Sequence, residues 1–146
     1  MIKYVQGDLF TTEADIIAHG CNCRGGFGSG VAGQIALKYP KARHSYLDKF
    51  EEDGWYLGDI QPVFQWDGKY IVNCATQFAY LPRGICHADY DGVRLSMERL
   101  KAFAQGKSLS VAIPKIGAGL AGGDWAIIEK IISDVFTDYD ITVYYT

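Results

Sequence analysis

Cysteine, proline and methionine are scarce in this 146-residue chain, with four, four and two copies. No stretch is both long and apolar. The cysteines, at 21, 23, 74 and 86, form no Cys-x-x-Cys pair and are too few for a disulfide scaffold, so they are expected as reduced thiols that pack like small apolar side chains. His19, Cys21 and Cys23 lack the paired second half that a structural zinc site needs, and no metal is expected. No run approaches the roughly 18 apolar residues of a membrane span. The start, Met1 to Gln6, lacks the apolar core of a signal peptide. The expectation is a cytoplasmic protein with no membrane partner. Excess basic charge is also absent: a net charge of −3 excludes the field that gathers a nucleic-acid backbone. Trp55, Trp66 and Trp125, with no basic stripe beside them, read as packing rather than as a base-stacking platform. Repeats, low-complexity tracts and linkers are missing too, which points to one domain over 1–146.

What is present is a strand and helix alternation. Runs rich in Ile, Val, Tyr and Phe predict strands at about 2–6, 15–20, 58–66, 69–75, 110–116 and 140–145. Apolar periodicity predicts helices at 30–38, 41–53, 89–105 and 124–136, the last two from Val93, Met97, Leu100 and Phe103 and from Ile127, Ile128, Ile131 and Val135. Asp67-Gly68 reads as a hairpin turn. The fold class is therefore α/β, a mixed six-stranded sheet covered on both faces by helices.

Two glycine-rich loops stand out within that frame, Gly25 to Gly30 before a helix and Gly117 to Gly123 after a strand. Each brings backbone N–H groups to a helix N-terminus, where unpaired donors and the helix dipole favour an anion. One loop is explained by the tight turns that glycine permits. Two suggest a diphosphate ligand, held in a cleft at the carboxyl ends of the strands. Two better-known motifs fail. Gly28 to Gly33 spells G-x-G-x-x-G, but its first glycine does not directly follow the strand and no acid ends the next strand. Gly106-Lys107-Ser108 lacks the Walker glycine, since position 101 is lysine.

Gly7-Asp8-Leu9-Phe10, Asp15 to Cys23, Gly25 to Gly33 and Ala36 to Pro40, followed by Ile113 to Leu120, Asp124-Trp125 and Ile141 to Tyr144, together resemble the macrodomain family over nearly the whole chain. The His-x-Cys-Asn-Cys-x-Gly-Gly pattern is most similar to the ADP-ribose 1″-phosphate phosphatase branch, with ADP-ribosyl glycohydrolases as a related branch. The resemblance implies a three-layer α/β/α fold, ADP-ribose as the ligand, and hydrolysis without a cofactor. It further implies that Asp8 and Leu9 contact adenine, that Asn22 holds the distal ribose, and that Tyr144 is one candidate to stack on adenine. By the same resemblance Gly28, Ser29, Gly30 and Val31, with Gly117, Ala118, Gly119, Leu120 and Ala121, grip the diphosphate. His19 and Asp89 are the candidate catalytic residues, with His87 behind them. Asp89 also reads as a helix N-cap, and His19 as a core histidine.

Departures narrow the chemistry. Gly30-Val31-Ala32 stands where one hydrolase group has Gly-Val-Asp. No lysine lies in 72–92, and Ala121 stands where the lysine-adduct glycohydrolases have an aspartate. The leading expectation is dephosphorylation of ADP-ribose 1″-phosphate; the alternatives are removal of ADP-ribose from protein or nucleic acid, and non-catalytic ADP-ribose reading.

Overall fold

A computed structural model describes residues 1–146. In chain order it contains β1 (Ile2–Gln6), β2 (Ile16–Cys21), α1 (Gly30–Lys38), α2 (Pro40–Glu52), β3 (Ile60–Phe64), β4 (Tyr70–Ala75), α3 (Tyr90–Lys107), β5 (Val111–Ile113), α4 (Trp125–Val135) and β6 (Ile141–Tyr145), plus a 3-10 turn at Leu9–Thr11. The strands form one sheet in the order β1-β6-β5-β2-β4-β3. Every neighbouring pair is parallel except β3 with β4.

Alternation along the strands builds two cores. Ile16, Ala18, Val72, Cys74, Val111, Ile113, Ile141 and Val143 face one side and pack under α3 and α4 with Met97, Leu100, Ile128 and Ile132. Ile17, Ile71, Ala75 and Ala112 face the other and meet Ile35 of α1 and Ala42 and Tyr46 of α2. A central parallel sheet must be apolar on both faces, and β2 shows it: Ile16, Ile17 and Ala18 are all fully buried.

The six expected strands and four expected helices are all present, with shifted ends. The largest difference is β5, which stops at Ile113 instead of running to 116. Pro114 has no N–H to continue the ladder, Ile116 N–H donates back to the Pro114 carbonyl, and Gly117 turns the chain with a φ of 77°. That early stop opens the second glycine loop. The hairpin turn covers 65–68, closed by Gly68 N–H on the Gln65 carbonyl, with Gly68 left-handed as expected of Asp-Gly. Gly106 and Lys107 form the last turn of α3, and Ser108 ends it at a φ of 58°, so this string is a helix terminus.

Candidate functional site

Because β2, β4 and β5 run parallel, their following loops emerge together at one edge of the sheet. There they enclose a cleft of about 460 Å³. Loop 1, between β2 and α1, forms one wall and loop 2, after β5, the other; they meet where a Cβ on Gly30 would lie 3.4 Å from Leu120. A strap from Gln77 to Ala88, between β4 and α3, closes the third side with Gln77, Tyr80 and Arg83. The strap is tied at both ends. Tyr80 lies over Gly26, where any Cβ would come within 2.6 Å of its ring, and the His87 and Ala88 N–H groups both donate to the Ala121 carbonyl.

The walls offer donors rather than acceptors. The amide hydrogens of Gly28, Ser29, Gly30 and Val31 in loop 1, and of Gly119, Leu120 and Ala121 in loop 2, meet no acceptor within the chain. All seven residues line the cleft. Ser29 is the N-cap of α1 yet its side chain makes no capping bond, and the first turn carries no acid. By contrast Asp89 caps α3 on Gly92 N–H, and Asp124 caps α4 on Ala126 N–H. Of the charged side chains, Arg83 and Lys115 line the cleft and no carboxylate does, in a chain of net charge −3.

His19 lies on the cleft floor and is almost completely buried. Its Nε2 is 2.6 Å from Asn73 Oδ1. Asn73 Nδ2 donates to the Ala42 carbonyl and to Gln61 Oε1, which fixes the amide so that its oxygen faces the ring. Nε2 must therefore carry the hydrogen and Nδ1 the lone pair. Burial, opposed only in part by this bond, lowers the His19 pKa to about 4, so the ring is neutral at physiological pH. Burial also pushes up the thiols of Cys21, beside His19, and Cys74, the latter to about 12, so neither is a thiolate nucleophile. Gly20, also on the floor, is required: a Cβ there would lie 2.5 Å from Thr76 Oγ1, a buried hydroxyl with no partner of its own.

Asn22 shapes loop 1 from below. Its Oδ1 accepts from the N–H groups of Arg24 and Gly26, and Tyr46 OH lies within hydrogen-bonding distance of both its side chain and its carbonyl. Of its two amide hydrogens one donates to the Gly26 carbonyl. The other has no acceptor within the chain, and Asn22 lines the cleft.

Other expected site residues lie apart. Asp89 sits at the foot of the strap, its N–H on the Thr76 carbonyl and its Oδ1 engaged as the α3 cap, and it does not line the cleft. The N-cap reading accounts for this placement, since an N-cap carboxylate is turned toward its own helix. His87 is turned onto the Pro82 carbonyl. Asp8 accepts from Phe10 N–H and Leu9 is buried in the second core; both follow β1 at the same edge of the sheet but outside the cleft. Tyr144 packs against that same core and borders a separate groove on the β1–β6 side of the sheet, and Ala118 is not among the residues that line the cleft. Arg83, Tyr80 and Asn73 were not foreseen. They stand fifty or more residues from the loop-1 and β2 groups they meet, and nothing local marks them.

Comparison with known proteins then places the chain. The Macro domain family model matches residues 18–132. This chain belongs to the macrodomain family. Its relatives include the ADP-ribose 1″-phosphate phosphatase of Saccharomyces cerevisiae, 26% identical over 98% of this chain and 97% of that protein. The DNA ADP-ribosyl glycohydrolase of Mycobacterium tuberculosis is 28% identical, over 99% of this chain but 42% of the relative's length. Among solved structures, the macrodomain of Mycobacterium tuberculosis DarG superposes with a TM-score of 0.87 at 26% identity, covering 100% of this chain and 98% of the other. The macrodomain fold accounts for the six-stranded mixed sheet and its four flanking helices.

Proposed function

We propose that this macrodomain binds ADP-ribose 1″-phosphate and hydrolyses its terminal phosphomonoester, releasing ADP-ribose and phosphate. One observation carries the reading: seven unpartnered amides and two cations line a cleft that holds no carboxylate. Such a surface favours an anion-rich ligand and offers no acid for a covalent sugar intermediate; its one lysine, Lys115, follows β5, while Ala121 and the lysine-free 72–92 stretch disfavour the lysine-adduct chemistry. The yeast relatives named for this reaction are matched over nearly their whole length.

In this reading the diphosphate lies between loops 1 and 2. Adenosine runs toward Asp8 and Leu9, three strands over from β2 in the sheet order, about 14 Å at ordinary strand spacing. The terminal ribose meets the spare Asn22 amide hydrogen. Water attacks phosphorus, the bond from phosphorus to the 1″ oxygen breaks, and that oxygen leaves as a hydroxyl. His19 Nδ1 takes the water's proton and, as the imidazolium, gives it up to the departing 1″ oxygen. A base with a pKa near 4 is weak, so most of the rate comes from positioning and from the amides that meet charge on the phosphate. Asp89 supports the strap and α3 from outside.

Phosphate release from ADP-ribose 1″-phosphate tests this directly. His19→Ala should lower kcat by about 10- to 100-fold, at the modest end of general-base effects. Asp89→Ala should leave kcat within about threefold and cost about 1 kcal/mol of stability through its lost cap. Since His19 titrates near 4, the parent should show a limb near pH 4 that His19→Ala lacks, while the limb near pH 6 from the second ionisation of the substrate phosphate stays in both. Release of ADP-ribose from modified protein or DNA with no release of phosphate would replace this reading with the glycohydrolase one; tight ADP-ribose binding with neither would make the chain a reader.

A further inference from the structure

Arg83 is a guanidinium with no carboxylate to satisfy it. The chain's ion pairs engage Lys3, Lys49, Arg94, Arg99, Lys101 and Lys130, and Arg83 is not among them. It instead reaches across the cleft, Nη2 standing 3.5 Å from Ser29 Oγ. The other cleft cation, Lys115, is held at the opposite end, its Nζ 5.6 Å from the centre of the Tyr145 ring on β6. The two charges are thus separated along the sheet edge, Lys115 toward β6 and β1, Arg83 on the strap that follows β4.

That separation gives each a different part of an extended ligand. Loops 1 and 2 touch at Gly30 and Leu120, above β2 and β5, and grip the middle. Whatever lies beyond the grip on the β4 side is bordered by Asn22, Tyr80 and Arg83. With adenosine directed toward β1, this is where the terminal sugar and its substituent fall. The strap's ties to Gly26 and Ala121 hold the Arg83 backbone against both loops, so the guanidinium is delivered to this end of the cleft.

We propose that Arg83 is the specificity-determining residue for the terminal phosphate, clamping the phosphomonoester at the Ser29 end of the cleft and setting the preference for the phosphorylated nucleotide over plain ADP-ribose. The inference rests on the reading above that the cleft takes this nucleotide. Above about pH 6 a phosphomonoester is largely a dianion with three acceptor oxygens, and a guanidinium meets two of them with parallel N–H donors. The 1″ hydroxyl of ADP-ribose is neutral and offers one. Losing Arg83 should therefore weaken one ligand and spare the other.

The test measures KM for ADP-ribose 1″-phosphate and the inhibition constant of ADP-ribose for the wild-type chain, Arg83→Gln and Arg83→Lys. Arg83→Gln should raise KM about tenfold or more, the size of a lost charge-assisted contact at a partly exposed site, and change the ADP-ribose constant less than about threefold. Arg83→Lys should recover part of the loss by keeping the charge without the fork. An equal rise for both nucleotides would overturn the proposal by making Arg83 a diphosphate contact, and no rise for either would overturn it as well. If the wild-type chain binds both nucleotides without releasing phosphate, calorimetric affinities replace KM and the same ratio decides; the fault would then lie with the reaction and not with Arg83. A wild-type chain that binds neither overturns the nucleotide reading and this proposal with it.

Discussion

Two concavities of this macrodomain can be set side by side. The larger, about 840 Å³, lies at the amino ends of β2, β5 and β6 and extends along the outer face of β6 to Thr142 and Tyr144. The smaller, about 460 Å³, lies at the carboxyl ends of β2 and β5. Size favours the first, yet most of its charged groups are already paired. Asp15 accepts from Ser110 N–H and Oγ, Asp140 pairs with Lys3 and the chain's amino group, and Asp138 pairs with Lys101. The smaller cleft keeps its amide donors and Arg83 unsatisfied, and carries no acid to satisfy them. Unmet donors, not volume, mark the site, because amides converging at a helix N-terminus and a facing glycine loop favour an anion.

Filling the smaller cleft is the strongest way to test that contrast. A Cβ on Gly28 or Gly119 would meet nothing within 4 Å, so the double change Gly28→Ala and Gly119→Ala adds bulk at the cleft wall without a clash in the protein. Calorimetry should show ADP-ribose affinity falling at least about 100-fold, or ~2.8 kcal/mol, with Tm unchanged. Thr142→Val in the larger groove should leave the affinity as it was.

Next in size is a stability effect confined to the cleft floor. The folded-state pKa of His19, about 4, lies below the unfolded value of 6.5. Between these values the unfolded chain binds the proton and the folded chain does not, so stability falls as pH drops from 6.5 toward 4. Chemical denaturation should register a loss of about 3 kcal/mol from this group, and His19→Gln should flatten that part of the pH curve. The unfolding of both proteins with the same slope in that window would contradict the account.

Much of the architecture was legible in the chain, and the exceptions have physical causes. The apolar runs that became β2, β4 and β6 are buried on both faces or tightly alternating, which leaves strand as the consistent reading. The apolar Ile116 makes the pattern of β5 run on past its end, though this residue belongs to the turn after Pro114 and not to the ladder. The glycine loops were legible because their function lies in backbone N–H groups that glycine spacing announces. Asp89 was ambiguous, since the same residue type caps a helix and moves a proton. The Asn73 bond to His19 and the reach of Arg83 to Ser29 come from tertiary proximity across 54 residues each, and no local pattern carries them.

Smaller changes sharpen the contrast further. Ser29→Asp adds the carboxylate that the α1 N-terminus lacks. Stability should rise by about 0.5–1 kcal/mol as the helix gains a cap, while ADP-ribose affinity drops about tenfold through repulsion, two opposite movements read by thermal unfolding and calorimetry on one variant. Smallest is Asp140→Asn in the larger groove. Its ion pairs are well exposed, so stability should change by less than about 0.5 kcal/mol and nucleotide binding should not change.

Backbone amide chemical shifts, followed by NMR as ADP-ribose is added, test the central claim most directly. The account predicts that the largest movements fall on Gly28 to Val31 and on Gly119 to Ala121, whose N–H groups have no partner in the free chain. Movements concentrated instead on 13–15 and 137–142, around the larger groove, with both glycine loops silent, would contradict it.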